Sequence, residues 1–266
     1  MKVLIVGYGN MGKTYANSFI SSRFIKPEDI FVLVRNENSA MAETSIPRVN
    51  FSQVATNRIS DFDIVILAVK PQDFDVLAQS IKPFLKDNQI IFSVMAGITL
   101  AKLELALSCS KIVRSMPNIP TQIGMGMTVF SASANVDRKE LFIIQNLINT
   151  TGKSVYVENE KLIDAATAIS GSGPAYVFYF MQSMIKAAVD LGFNESEAEL
   201  LVNQTFMGSV AIQNSYSISN EEWIAKVASK GGTTERALQV FEKGVLEKTI
   251  VQAVKAANDR ALELGS

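Results

Sequence analysis

The chain has 266 residues with 25 Lys+Arg and 26 Asp+Glu, a formal net charge of −1, so no basic surface is offered to nucleic acid or to an anionic membrane. It holds one cysteine, Cys109, and no histidine, which excludes a disulfide framework, a Ser-His-Asp triad and an HExxH zinc site and all but excludes a thiolate metal cluster. Any chemistry must run on a cofactor or on Lys, Glu, Asp, Ser, Thr or Tyr.

The first half alternates short apolar runs with amphipathic stretches. KVLIV (2–6) leads straight into GYGNMG (7–12) and is too short for a signal peptide or a membrane span, so a cytoplasmic protein is expected. A helix is expected from about Met11, with Met11, Tyr15, Phe19 and Ile20 on one face. IFVLV (30–34), FDIVILAV (62–69), IIFSV (90–94) and KIVRSM (111–116) are strand-like, with helical stretches near 72–81 and 99–107. MTVFSA (127–132), a helix near 137–150 and SVYV (154–157) complete this part. The alternation predicts a parallel sheet covered by helices on both faces.

After Val157 the pattern becomes helical. Ala198, Leu201, Val202, Thr205, Phe206 and Val210 recur at helical spacing. Asn194 with Glu197, and Ser219 with Glu222, have the spacing of capping boxes, and Pro174 suits the first turn of a helix. The expected fold class is α/β. An N-terminal Rossmann-like dinucleotide-binding domain over 1–158 is followed by an all-helical C-terminal domain over 159–266.

Gly7, Gly9 and Gly12 form a G-x-G-x-x-G pattern between a strand and a helix. Gly7 allows the tight turn, Gly9 lets backbone approach a pyrophosphate, and Gly12 lets the helix pack close to the strand. A plain βα turn is the alternative. An acid at the end of the second strand would accept the ribose 2′-OH of NAD; this chain has Val34, Arg35 and Asn36, which suit a 2′-phosphate and favour NADPH. Glu37, one place on, keeps NADH use open, and a solvated Arg35 is the competing explanation. In AVKPQ, Val69 and Lys70 fall beyond a strand's carboxyl end, at cofactor height. In SMPNIP, Asn118 either lines a nicotinamide pocket or caps its local backbone. Tyr176 and Tyr179 read as core aromatics.

GYGNMG, AVKPQ, MPNIP, SGSGPAYVF (170–178) and SKGGTTERAL (229–238) occur in this order over nearly the whole chain. Together they resemble the Δ1-pyrroline-5-carboxylate reductases. The resemblance implies hydride transfer from NAD(P)H to the C=N carbon of pyrroline-5-carboxylate, giving L-proline. It implies cofactor contacts at Gly7, Tyr8, Gly9, Asn10, Met11, Arg35, Asn36, Asn57, Val69, Lys70 and Ala96. It implies substrate contacts at Glu160, Lys226, Gly231, Gly232, Thr233 and Thr234, with Thr234 closest to the chemistry. It also implies that the helical domain mediates a homodimer, with larger rings of dimers in some members, and that no metal takes part.

SKGGTTERAL then acquires a physical role. Gly231 and Gly232 free the backbone at a helix start, where N–H groups and the helix dipole favour one small anion, here the substrate carboxylate. The Thr234 hydroxyl is suited to the ring nitrogen, and Glu235 and Arg236 are expected to face solvent. Lys230 departs from the family, which commonly has proline there. Two alternatives remain: a β-hydroxyacid-type dehydrogenase, and a catalytically silent nucleotide-binding relative.

Overall fold

A computed structural model describes residues 1–36 and 44–265. Eight strands form one sheet: β1 (Val3–Val6), β2 (Ile30–Leu33), β3 (Phe51–Ser52), β4 (Ile64–Leu67), β5 (Ile90–Ser93), β6 (Ile112–Met116), β7 (Gly126–Ala132) and β8 (Gly152–Tyr156). Their spatial order is β3-β2-β1-β4-β5-β6-β7-β8. The chain steps outward in one direction from β1 to β3 and then in the other from β4, so the topological switch lies between β1 and β4. Ligands of such sheets bind beyond the carboxyl ends of the strands at that switch.

Among the described residues, the sheet unit includes the helices α1 (Asn10–Ser21), α2 (Phe74–Ile81), α3 (Leu100–Leu107), α4 (Arg138–Asn149) and α5 (Lys161–Ala166). The period of two in each strand sorts its side chains into two cores. Val3 and Ile5 join Tyr15, Phe19, Phe92, Phe130 and Leu147 on one face. Leu4 and Val6 join Val65, Leu67, Phe74, Ile81 and Leu103 on the other. Both faces are covered there, which is why β1, β2 and β4 are apolar throughout rather than alternating.

Two features depart from the expected sheet. β3 is only two residues long, too short to leave a pattern in the sequence. β7 runs antiparallel to β6, whereas the other pairings are parallel. The link between β6 and β7 is a short 3₁₀ turn, Ile119–Ile123, and cannot supply the crossover that a parallel pairing needs.

The described chain forms two compact units, Met1–Ser172 with Ala257–Ser266, and Gly173–Ala256. The second unit is helical: α6 (Gly173–Asp190), α7 (Glu195–Ser215), α8 (Asn220–Val227), α9 (Thr233–Lys243) and most of α10 (Leu246–Gly265). Asn194 caps α7 and Ser219 caps α8, each with the reciprocal glutamate bond expected of a capping box. Tyr179 is not a core aromatic here; it is 75% exposed, and Phe178 beside it is 61% exposed. The helices of this unit present apolar residues outward because the unit has few buried positions, chiefly Ala198 and Val202 on α7. Among the described residues no helix is long and apolar enough to cross a membrane.

Candidate active site

A cavity of about 830 Å³ opens beyond the carboxyl ends of β1, β2 and β4. Gly7, Tyr8 and Gly9 form its floor after β1, Arg35 and Asn36 follow β2, and Val69 and Lys70 follow β4. The three glycines differ in what they require. Gly7 has φ +92, and a Cβ there would lie 2.7 Å from the Ala68 carbonyl oxygen. A Cβ on Gly12 would lie 2.1 Å from the Gly7 carbonyl oxygen, so glycine sets the close approach of α1 to the turn. A Cβ on Gly9 would meet nothing within 4 Å. Gly7 and Gly12 therefore answer to the fold, while Gly9 faces the open cavity, where a pyrophosphate against the start of α1 fits both shape and dipole.

Tyr8 is buried, and its hydroxyl shares a 3.0 Å hydrogen bond with Thr44 Oγ1. Burial pushes its phenol above the usual range, partly offset by that bond, so the group stays protonated. Arg35 Nη2 lies 3.2 Å from Asp73 Oδ2, an ion pair in the cavity wall. Cys109 is buried, and burial together with the Asp87 charge pushes its thiol up to about 11, which leaves no thiolate at neutral pH.

A second polar cluster lies on β6. Arg114 is fully buried and donates from Nη1 to Glu160 Oε1 at 2.8 Å and from Nη2 to Asp164 Oδ1 at 2.6 Å. Glu160 Oε1 also accepts the Leu100 N–H at 2.8 Å, at the first turn of α3. One guanidinium thus ties the start of α5, the start of α3 and the sheet together. Asn118 makes a parallel tie further along. Its Nδ2 donates to the Ser170 carbonyl at 3.0 Å and its Oδ1 accepts the Met127 N–H at 2.9 Å. Asn118 therefore does more than cap its own loop, since it holds the π-helical turn Thr167–Gly171. Gly171 packs against Met116, whose Cε would lie 2.7 Å from an added Cβ, whereas a Cβ on Gly173 would meet nothing within 4 Å.

In the second unit the turn before α9 has the expected glycine geometry. Gly231 has φ +73, and Gly232 is the N-cap residue of α9. The Gly232 N–H donates to the Ser229 carbonyl at 2.9 Å. Glu235 is half-buried rather than free in solvent: its Oε2 accepts the Gly231 N–H at 2.7 Å in an exposed hydrogen bond. A first-turn carboxylate reaches back to a donor that the left-handed Gly231 turns toward it. The first-turn N–H groups of Thr233 and Thr234, with their hydroxyls, are among the helix-start donors open to an anion. Lys226 occupies the last turn of α8, and Lys230 is exposed in the turn.

A family model described as "Pyrroline-5-carboxylate reductase dimerisation" matches residues 160–264, and one described as "NADP oxidoreductase coenzyme F420-dependent" matches residues 2–97. A pyrroline-5-carboxylate reductase of Aquifex aeolicus is 32% identical over 265 residues, 99% of this chain and 97% of that one. The chain belongs to the pyrroline-5-carboxylate reductase family.

Solved structures of the family agree in fold. The Coxiella burnetii reductase superposes with a TM-score of 0.90 at 30% identity, covering 100% of this chain and 98% of that one. The Plasmodium falciparum reductase with NADP bound gives 0.86 at 30% identity, with the same coverage. As a member of this family the chain is an NAD(P)-dependent oxidoreductase with a dimerisation region.

The structure gathers the expected cofactor residues unevenly. Gly7, Tyr8, Gly9, Arg35, Asn36, Val69 and Lys70 line the one cavity. Asn10 lines a separate polar groove of about 540 Å³ with Lys13, Asn17 and Thr121. Met11 receives a 3.8 Å contact from the Thr121 hydroxyl. Ala96 sits exposed in the turn after β5, and Asn57 is exposed on the 3₁₀ turn Asn57–Asp61. Glu37 lies outside the described residues. Gln53, Val54, Ala55 and Asp73 line the cavity without having been singled out from the sequence. The first three follow β3, whose brevity hid it, and Asp73 reads locally as an ordinary first-turn acid.

Proposed function

We infer that this reductase performs the reaction its family is named for, with NADPH preferred to NADH. The observation that carries the reading is the intact cradle, in which Gly9 alone of the three glycines faces open cavity within a chain matched to reductases over its full length. The cofactor, when bound, supplies a hydride to the C=N carbon of the protonated imine, which becomes L-proline. No strong base is needed for that step, in keeping with the absence of histidine.

The residues of the chain bind and orient. Gly7, Tyr8, Gly9, Asn10 and Met11 hold the pyrophosphate side, with Val69, Lys70 and Ala96 along the strand ends and Asn57 as a further adenosine contact. Arg35 and Asn36 recognise the 2′-phosphate. The Thr233 and Thr234 N–H groups hold the substrate carboxylate in a turn shaped by Gly231 and Gly232, with Lys226 and Glu160 as further substrate contacts. The Thr234 hydroxyl hydrogen-bonds the ring nitrogen. We take the functional division of the chain to fall near 158/159, the assembly to be a homodimer with a ring of dimers as its larger form, and the location to be the cytoplasm, where a lone buried thiol needs no oxidising environment.

Oxidation of NADPH followed by absorbance, with pyrroline-5-carboxylate as substrate, tests the reaction. Cofactor binding without turnover would favour the silent relative, and turnover only with hydroxy acids would favour the dehydrogenase. Thr234→Ala is expected to lower kcat/KM about 30-fold, the loss of one hydrogen bond to a charged group; wild-type kinetics would remove Thr234 from the site. Arg35→Ala is expected to weaken NADPH about tenfold and NADH far less, as a charge-assisted phosphate contact is lost. Equal losses for the two cofactors would end the 2′-phosphate assignment.

A further inference from the structure

Arg35 does not stand alone in the cavity wall. Its guanidinium, 86% exposed, meets the Asp73 carboxylate, 32% exposed, at 3.2 Å. The two come from separate elements: Arg35 follows β2, and Asp73 ends the 3₁₀ turn Pro71–Asp73 that leads into α2. Lys70 is the second cation of the wall, and Asp73 is its one carboxylate among the described residues.

This arrangement treats two incoming groups differently. A phosphate dianion must share the guanidinium with a carboxylate that repels it. A hydroxyl meets no such repulsion, and an ionised carboxylate is an acceptor for it. The same acid that stands near an otherwise NADP-like arginine therefore works toward NADH.

We propose that Asp73 is a specificity-determining residue of this reductase, which competes with the cofactor's 2′-phosphate for Arg35 and so narrows the preference for NADPH over NADH. The proposal rests on the assignment of Arg35 to the 2′-phosphate. It concerns a residue outside the glycine cradle and outside the second-strand end, from an element that the usual fingerprint does not include.

The test uses the full chain with Asp73→Asn, an isosteric change that removes only the charge. Calorimetric titration with NADP⁺ and with NAD⁺ gives the ratio of dissociation constants independently of turnover. That ratio is expected to move about fivefold toward NADP⁺, the size of an exposed ion pair, and to move less at high salt. The kcat/KM ratio for NADPH against NADH is expected to follow. In an Arg35→Ala background the shift is expected to fall below half. An unchanged ratio, a shift toward NAD⁺, or a full shift without Arg35 would overturn the proposal. Failure of the underlying assignment shows separately, as equal weakening of both cofactors by Arg35→Ala alone.

Discussion

Arg114→Met is expected to lower the stability of the sheet unit by about 3–5 kcal/mol, because it leaves two carboxylates without their buried counter-ion. Glu160 and Asp164 both point at one guanidinium that is 2% exposed; Asp164, 12% exposed, has little water to replace it, while Glu160, 27% exposed, keeps partial access to solvent. Glu160 keeps the Leu100 N–H, which offsets part of its charge, but Asp164 has no such second donor among the described residues. The melting temperature of a unit this size should fall by about 10 °C or more. Arg114→Lys should fall between, since one ammonium lacks the fork that reaches both acids. The decisive comparison adds Glu160→Gln and Asp164→Asn to Arg114→Met. If uncompensated charge is the cause, the triple variant should be more stable than the single one. A triple variant that melts lower still would show that shape, rather than charge, dominates the cluster. Thermal unfolding by circular dichroism reads all three.

Gly12→Ala and Gly9→Ala, only three positions apart in the motif, should fail in different ways. An added Cβ at Gly12 lies 2.1 Å from a backbone oxygen, so α1 must move off the turn. Overpacking against backbone is expected to lower stability by about 3 kcal/mol, with cofactor binding lost alongside. Gly9→Ala meets no atom of the chain and should melt close to wild type. Its methyl instead stands where a pyrophosphate must come within reach of the backbone, and the NADP⁺ dissociation constant should rise at least about tenfold. Equal loss of stability in the two variants would show that Gly9 serves the fold. Wild-type NADP⁺ affinity in Gly9→Ala would show that the cradle does not hold the pyrophosphate. Calorimetry and thermal melting on the same samples separate the outcomes.

Much of this was legible because it is local. The glycine turn follows an apolar strand within a few residues, so sequence order alone places Gly7, Gly9 and Arg35 near one cavity. Asn194 and Ser219 announce their helices through a partner in the next turn. The motifs SGSGPAY and GGTT sufficed to indicate the family. Other features depend on residues far apart. Asp73 meets Arg35 from another strand's loop, and nothing in PQDF marks it. Glu235 bonds within its own turn, yet its direction depends on the left-handed conformation of Gly231. The outward-facing aromatics of α6 have the composition of a core, and periodicity does not tell a face buried within the chain from one left for a partner.

The alternation of strands and helices, the glycine cradle, the helix caps and the membership of a reductase family are all written locally in the chain. These rest on backbone preferences and apolar periodicity acting over one or two turns of chain. That β7 turns back on β6, that Asn118 holds the Thr167–Gly171 turn, and that Arg114 is buried between Glu160 and Asp164 emerge from the packed fold. KIVRSM reads as a strand, but its arginine carries no sign of burial until its counter-ions are known. Those counter-ions lie 46 and 50 residues away, and only the packing of α5 on the sheet brings them to it.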